Sequence, residues 1–360
     1  MSHDSILERS GDLSQLVPGI LISHEKDNIP LLIECEKNTN LSNRWRDYHQ
    51  VIQKIITRYQ RDIGAILFRG FKFIDDNDFY DFVKSFGLDL LRYEFGSTPR
   101  SHLGNGVYTS TEYPAHQVIP LHNEQAYTLS WPLNIWFHCV TAASRGGHTP
   151  IADSRLIYQH INRTIRERFE KKRLMYVRNY GNGLDIPWQQ AFNTDDISVA
   201  QAYAKNNKIQ LEWKEDGELR TRQLCQATAQ HPLTNEWVWF NQAHLFHISN
   251  LNESVREMLL GCVDMQDLPR NVYYGDGSEI ETSILDEIRG VIDEFTVSFP
   301  WQPGDVMLLD NMLVAHGRGT FEGERKVVVA MTEPFDSIAA NGDSQNTTLE
   351  DTSPSLEYSA

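Results

Sequence analysis

The chain is poor in cysteine. Cys35, Cys139, Cys225 and Cys262 lie far apart in 360 residues, and none forms a C-x-x-C pair. A disulfide frame is therefore not expected; reduced thiols in a cytoplasmic protein are. Positive charge is scarce too. Against 49 Asp and Glu stand 33 Lys and Arg, a formal charge of −16. Such a surface repels a phosphate backbone, which argues against general nucleic-acid binding. No apolar run approaches the length of a membrane span, so no membrane partner is expected. The opening MSHDSILERSGDLSQ has neither the basic nor the apolar region of a signal peptide. Internal repeats and βαβ alternation are also missing, which disfavours a doubly wound sheet.

What is present is ordinary core material and many aromatics: 40% hydrophobic residues, with 8 Trp, 14 Tyr and 16 Phe. Trp45, Tyr48, Ile52, Ile55, Ile56 and Tyr59 recur at helical spacing after Ser42, a plausible cap. GAILFRGF (Gly64–Phe71) reads as a buried strand. A second helix follows, capped at Asp76 or Asn77, with Phe79, Phe82, Val83 and Phe86 on one face. From about residue 107 the texture is short β segments broken by Pro and Gly, with a hairpin expected at Asp216-Gly217. The expected fold is mostly β with flanking helices, a double-stranded β-helix or distorted jelly roll. We expect one jelly-roll domain over residues 1–335, a mixed α/β insert at about 155–295, and a polar, flexible tail at 336–360.

The segment PLHNEQAYTLSWP places His122 two residues before Glu124. On a strand, both would project from one face. Chance supplies roughly two such pairs among 13 His and 49 acids, so the pair alone decides little. His316 closes the apolar run MLVA before a Gly-containing loop. Two His and one carboxylate make the facial triad of non-haem Fe(II) oxygenases, which leaves coordination positions open. Downstream, Arg325 shares a strand face with Val327, Val329 and Met331. An inward arginine is costly unless it meets an anion, and its fork matches a carboxylate. Thr149 offers a hydroxyl for the same anion.

This constellation resembles the taurine-dioxygenase-like family of Fe(II)/2-oxoglutarate oxygenases, over roughly residues 40–335. VYTSTEYP, PLHNEQAY, WFNQAHLFH, NVYYGDGSEI and HGRGTFEGERKVVVAM look closer still to the syringomycin-type aspartyl hydroxylase subgroup. The resemblance implies His122, Glu124 and His316 as iron ligands, with Thr149 and Arg325 on the distal carboxylate of 2-oxoglutarate. It implies Fe(II), 2-oxoglutarate and O2 as cofactors, and oxidation of a substrate C–H bond coupled to release of succinate and CO2. Two features depart from the wider family: the acid is Glu rather than Asp, and Val329 stands where taurine dioxygenase has a second arginine, so a sulfonate substrate is not expected. With Glu124 in the third corner, no place is left for the chloride that halogenation requires.

The implied substrate is amino-acid-like, free or tethered to a carrier protein, and hydroxylation is the leading reaction over desaturation or epoxidation. Asn123, Tyr127, Asn241, Gln242 and Arg318 are candidate substrate residues. His138, His148, His244 and His247 are read as structural. Arg100 and Arg178 are read as ion-paired, with contact to a substrate carboxylate as the sharper alternative. The RERFEKKR run (Arg166–Arg173) is read as a solvated helix face, or else a docking patch for an acidic carrier. A homo-oligomer is compatible with all of this. The rival readings are a non-catalytic jelly-roll binding module and a scaffold that uses the tail.

Overall fold

The run SWPLNIWFHCVT (Ser130–Thr141) is apolar on both faces because both faces are covered. It lies mid-sheet in a computed structural model that describes residues 20–24, 29–35, 45–73, 76–91, 102–104, 106–110, 113–181, 185–214 and 217–340. Trp136 and His138 face outward onto helix Asp76–Lys84, His138 stacking on Phe79 at 5.3 Å. Phe137, one residue away, faces inward onto His316. Helix His49–Ile63 buries Ile52, Ile55, Tyr59 and Ile63 on one stripe. Full burial of each such isoleucine contributes about 1.5–3 kcal/mol.

The eight-strand sheet runs Ile20–His24, Leu31–Cys35, Ala65–Arg69, Val306–Asp310, Ser130–Thr141, Lys326–Asp336, Val107–Thr109, His102–Gly104. All pairs are antiparallel except Leu31–Cys35 with Ala65–Arg69. A smaller antiparallel sheet has Val314–Arg318 between Ile119–His122 and Ile151–Asp153. Residues of both sheets line one cavity between them. This is the distorted jelly roll expected from the sequence.

Between Asp153 and Val297 the chain builds a second antiparallel sheet, ordered Ile209–Trp213, Leu219–Cys225, Leu174–Tyr180, Arg270–Tyr274, with helices around it. Its apolar core takes in Leu121 and Ala315 of the small sheet. The outer side of the small sheet is thus covered by the insert.

Three details differ from the sequence reading. Two strands, Ile20–His24 and Leu31–Cys35, precede the first helix; each is only five residues long, too short for a clear period. The segment read as tail continues as strand to Asp336 and as a helical turn at Ser337–Ala340. Ser337 donates from both N–H and Oγ to Leu129 O. Residues 341–360, Ser42 and Asp216 lie outside the described residues.

The turn joining the Val306–Asp310 and Val314–Arg318 strands rests on a buried charge network. Asp310 and His231 are fully buried, with Nε2 of His231 3.1 Å from Oδ2 of Asp310. Nδ1 of His231 accepts from the N–H groups of Leu233 and Thr234, so the proton on Nε2 faces the carboxylate. Arg61 donates to the same oxygen at 2.6 Å, and Oδ1 accepts from Met312 and Leu313 N–H. Burial alone would raise the Asp310 pKa, but the His231 hydrogen bond and the Arg61 cation outweigh it and hold it below the ordinary 3.8. A depressed carboxyl contributes stability that is present above the unfolded pKa and is lost as pH falls through the folded one. Asp310→Asn is expected to cost about 3–5 kcal/mol in urea unfolding at pH 7. The gap from wild type should narrow as pH drops below 3.8. A gap that did not depend on pH would contradict this account.

Candidate active site

His122 ends the strand Ile119–His122, and His316 sits third in Val314–Arg318. The two are direct register partners, with ring centroids 4.7 Å apart. Their neighbours Leu121 and Ala315 are buried in the insert core, so strand alternation turns both imidazoles to the other side, into the jelly roll. Gly317 lets the strands close this near: a Cβ there would stand 2.6 Å from Ile119 O. Nδ1 of His122 lies 2.9 Å from Pro120 O. That bond places the proton on Nδ1 and the lone pair on Nε2, the tautomer a metal needs. Behind it, Nε2 of His244 donates to Leu121 O at 2.8 Å. Burial, opposed by that bond, pulls the His244 pKa to about 4, so this ring is a neutral strut.

Glu124 does not reach the site by the expected route. The strand stops at His122, and Glu124 opens a turn in which Gln125 has φ 57°. Its convergence with His122 is set by the turn, not by the pleat. Even so, one donor atom each from His122, Glu124 and His316 lie within 4.8 Å of one another. Two neutral imidazoles and a carboxylate suit a divalent first-row metal such as Fe(II), and leave a face open for other ligands.

These histidines open onto a small, narrow cavity. One wall is Ser110, Phe137, Val327 and Val329 of the large sheet; the other holds Ile119, Thr149, Gly317 and Arg318, with Arg325 at its end. Arg325, Val327 and Val329 share the inward face, as the alternation predicted. Arg325 Nε donates to Gly147 O at 3.0 Å, and its Nη2 lies 3.5 Å from Thr149 Oγ1. Trp301 Nε1 fixes that hydroxyl at 2.9 Å. Gly147 has φ 70°, and a Cβ there would stand 3.1 Å from Arg325 Cδ. Among the described residues no carboxylate pairs with Arg325. Burial, together with the neighbouring Arg318 cation, pulls its pKa down to about 10. The cavity therefore holds a desolvated cation that an entering anion would relieve.

Of the five candidate substrate residues, only Arg318 lines this cavity. Its guanidinium donates to the carbonyls of Tyr113, Pro114 and Gln117 at 2.7–3.0 Å, which ties that loop to the strand. The other four do not line the cavity. Asn123 spends its amide on Ser154 and Asn311 O, Gln242 on Asn123 O, and Asn241 on Ala227 O. Tyr127 packs into the insert core against Phe246. Buried amides need partners whether or not a ligand is near, so polarity in the sequence could not separate these roles. Arg178 lies 3.8 Å from Asp185, and Arg100 is outside the described residues. In the RERFEKKR run, Arg166, Arg168 and Lys172 pair with Glu170, Glu281 and Asp276, as a solvated face would. Ser110, Trp301 and Asn311 were missed; no local pattern marks them, because each acts through strands distant in sequence.

Arg318→Met is expected to weaken 2-oxoglutarate binding at least about tenfold, because one cation within about 12 Å contributes at least about 1.4 kcal/mol at an effective dielectric near 20. Calorimetric titration of the metal-loaded protein measures it, and unchanged affinity would assign Arg318 to the loop alone.

A sequence profile of the family described as "Taurine catabolism dioxygenase TauD, TfdA family" matches residues 41–331. The chain belongs to this family. As a TauD/TfdA member it is a dioxygenase that uses Fe(II), 2-oxoglutarate and O2. It is 43% identical over 286 residues to the dapdiamide synthesis protein DdaC of Enterobacter agglomerans, covering 79% of this chain and 86% of that one. It is 34% identical over 279 residues to a clavaminate synthase-like protein of Arabidopsis thaliana, covering 74% and 81%. In fold it is similar to PvcB of Pseudomonas aeruginosa, with a TM-score of 0.51, 15% identity, and coverage of 87% of this chain and 91% of that one. Among the described residues no helix is long and apolar enough to cross a membrane.

Proposed function

We propose that His122, Glu124 and His316 hold the iron, that Thr149 and Arg325 hold the distal carboxylate of 2-oxoglutarate, and that the enzyme hydroxylates an amino-acid-like substrate in specialised metabolism. The observation that carries this reading is one cavity with His122 and His316 on its wall, Glu124 beside them, and at its end a part-buried guanidinium that has no acidic partner among the described residues. A dicarboxylate spans such a pair of sites. The 43% identity to a protein named for dapdiamide synthesis supports the pathway class. The substrate is either free or presented on a carrier protein.

When bound, iron and 2-oxoglutarate supply the oxidising power, with decarboxylation to succinate and CO2 coupled to reaction of O2 with a substrate C–H bond. The chain does the rest. Arg325 and the Trp301-fixed hydroxyl of Thr149 set the depth and orientation of the co-substrate. Phe137, Val327 and Val329 keep water from its methylenes.

The test is anaerobic addition of Fe(II) and 2-oxoglutarate to metal-free protein, followed by O2 with a panel of free and carrier-bound amino acids. A visible metal-to-ligand charge-transfer band, then succinate and a product 16 mass units heavier, is expected. A product 2 units lighter would reassign the reaction to desaturation, and no band with iron bound would overturn the co-substrate assignment.

A further inference from the structure

We propose that Asn311 is the positioning residue for Glu124 and thereby sets the metal affinity of the site. The inference rests on the reading of His122, Glu124 and His316 as the metal ligands. Its starting point is that Glu124 lies outside the strand ladder. The two histidines are fixed by pairing with each other's strands. Glu124 stands in the turn beyond the strand, on a longer arm than aspartate, so what holds its backbone there matters for the site.

Asn311 holds that backbone. Its side chain is fully buried and does not line the cavity. Oδ1 accepts from Glu124 N–H at 2.7 Å, while Nδ2 donates to Glu124 O at 3.0 Å and to Pro132 O at 2.9 Å. The amide thus engages both sides of one residue, as a neighbouring strand would. Only a primary amide offers an acceptor and two donors in that arrangement; a carboxylate has no donor and alanine has neither. The backbone of Asn311 is held as well: its N–H donates to Leu133 O, and its C=O accepts from Asn123 Nδ2 at 2.7 Å. Asp310 fixes the turn itself through Met312 and Leu313 N–H.

Asn311 also lies five residues before His316, at the foot of the same hairpin arm (316 − 311). Glu124 and His316 are 192 residues apart in sequence (316 − 124), yet one side chain sets the first against the second. Groups that orient metal ligands, once removed, typically cost 10–100-fold in metal affinity.

The experiment is titration of the full-length, metal-free chain with Co(II) alone, followed by visible absorption, on wild type, Asn311→Asp and Asn311→Ala. Thermal unfolding of each in EDTA runs alongside. Asn311→Asp keeps the shape and the acceptor but loses the donors. The expected result is a Co(II) Kd raised at least about tenfold in Asn311→Asp, and further in Asn311→Ala, with Asn311→Asp still folded without metal. Folded variants that bind Co(II) as wild type does would overturn the proposal, even if their melting temperatures fell. So would failure of both variants to fold, which would make Asn311 a scaffold residue. A wild-type chain that takes up no Co(II) would overturn the ligand triad beneath it, a separable failure.

Discussion

His316→Ala is expected to show no charge-transfer band with Fe(II) and 2-oxoglutarate, and to lose metal affinity by more than about a hundredfold. The floor comes from residues that merely orient ligands, whose loss already costs up to that much. The fold should survive. His316 packs against Phe137 at one edge and sits in a strand paired on both sides, so removing its ring opens space next to an existing cavity without cutting a ladder bond. Equilibrium dialysis against Co(II), with circular dichroism to establish folding, separates the two effects. A folded His316→Ala that still bound metal as wild type does would remove His316 from the ligand set.

Arg325→Met should separate co-substrate binding from iron binding. Truncating one partner of a buried charge pair costs about 2–5 kcal/mol, so 2-oxoglutarate affinity is expected to fall from about thirtyfold to several thousandfold, with Co(II) affinity unchanged. Arg325→Lys should recover only part, because an ammonium lacks the planar fork. A second consequence follows from the depressed pKa of Arg325, about 10 under burial and the Arg318 charge. Without an anion, wild type carries a desolvated cation. Arg325→Met is therefore expected to melt no lower than wild type when free of co-substrate. Added 2-oxoglutarate should raise the melting temperature of wild type but not of the variant. An equal rise in both would place the dicarboxylate elsewhere.

The jelly roll was legible because its central strands carry long apolar runs, and alternation along 325–331 foretold which side chains turn inward. His122, Glu124, His316, Thr149 and Arg325 could be picked out because metal and carboxylate chemistry admit few residue types. The structure brings all five round one space. What could not be read was how they are held. The pleat argument for Glu124 assumed a strand that stops two residues early. Nor could the sequence show that the amides of Asn123, Asn241 and Gln242 bond backbone carbonyls, because an amide in a sequence says nothing of whom it bonds. Asn311 and Asp310 went unnoticed because their partners, Glu124 and His231, come from far along the chain. The early strands were obscure for a similar reason: short elements are defined by what they pair with, not by their own pattern.

The direct pairing of His316 with His122 has a consequence for assembly of the site. A one-residue slip of Val314–Arg318 would set Ala315 or Gly317 against His122 and turn every side chain of that strand to the other face. No metal could then be held by both strands. Metal binding thus rewards only the correctly registered sheet, and metal present during refolding acts as a proofreader of strand alignment.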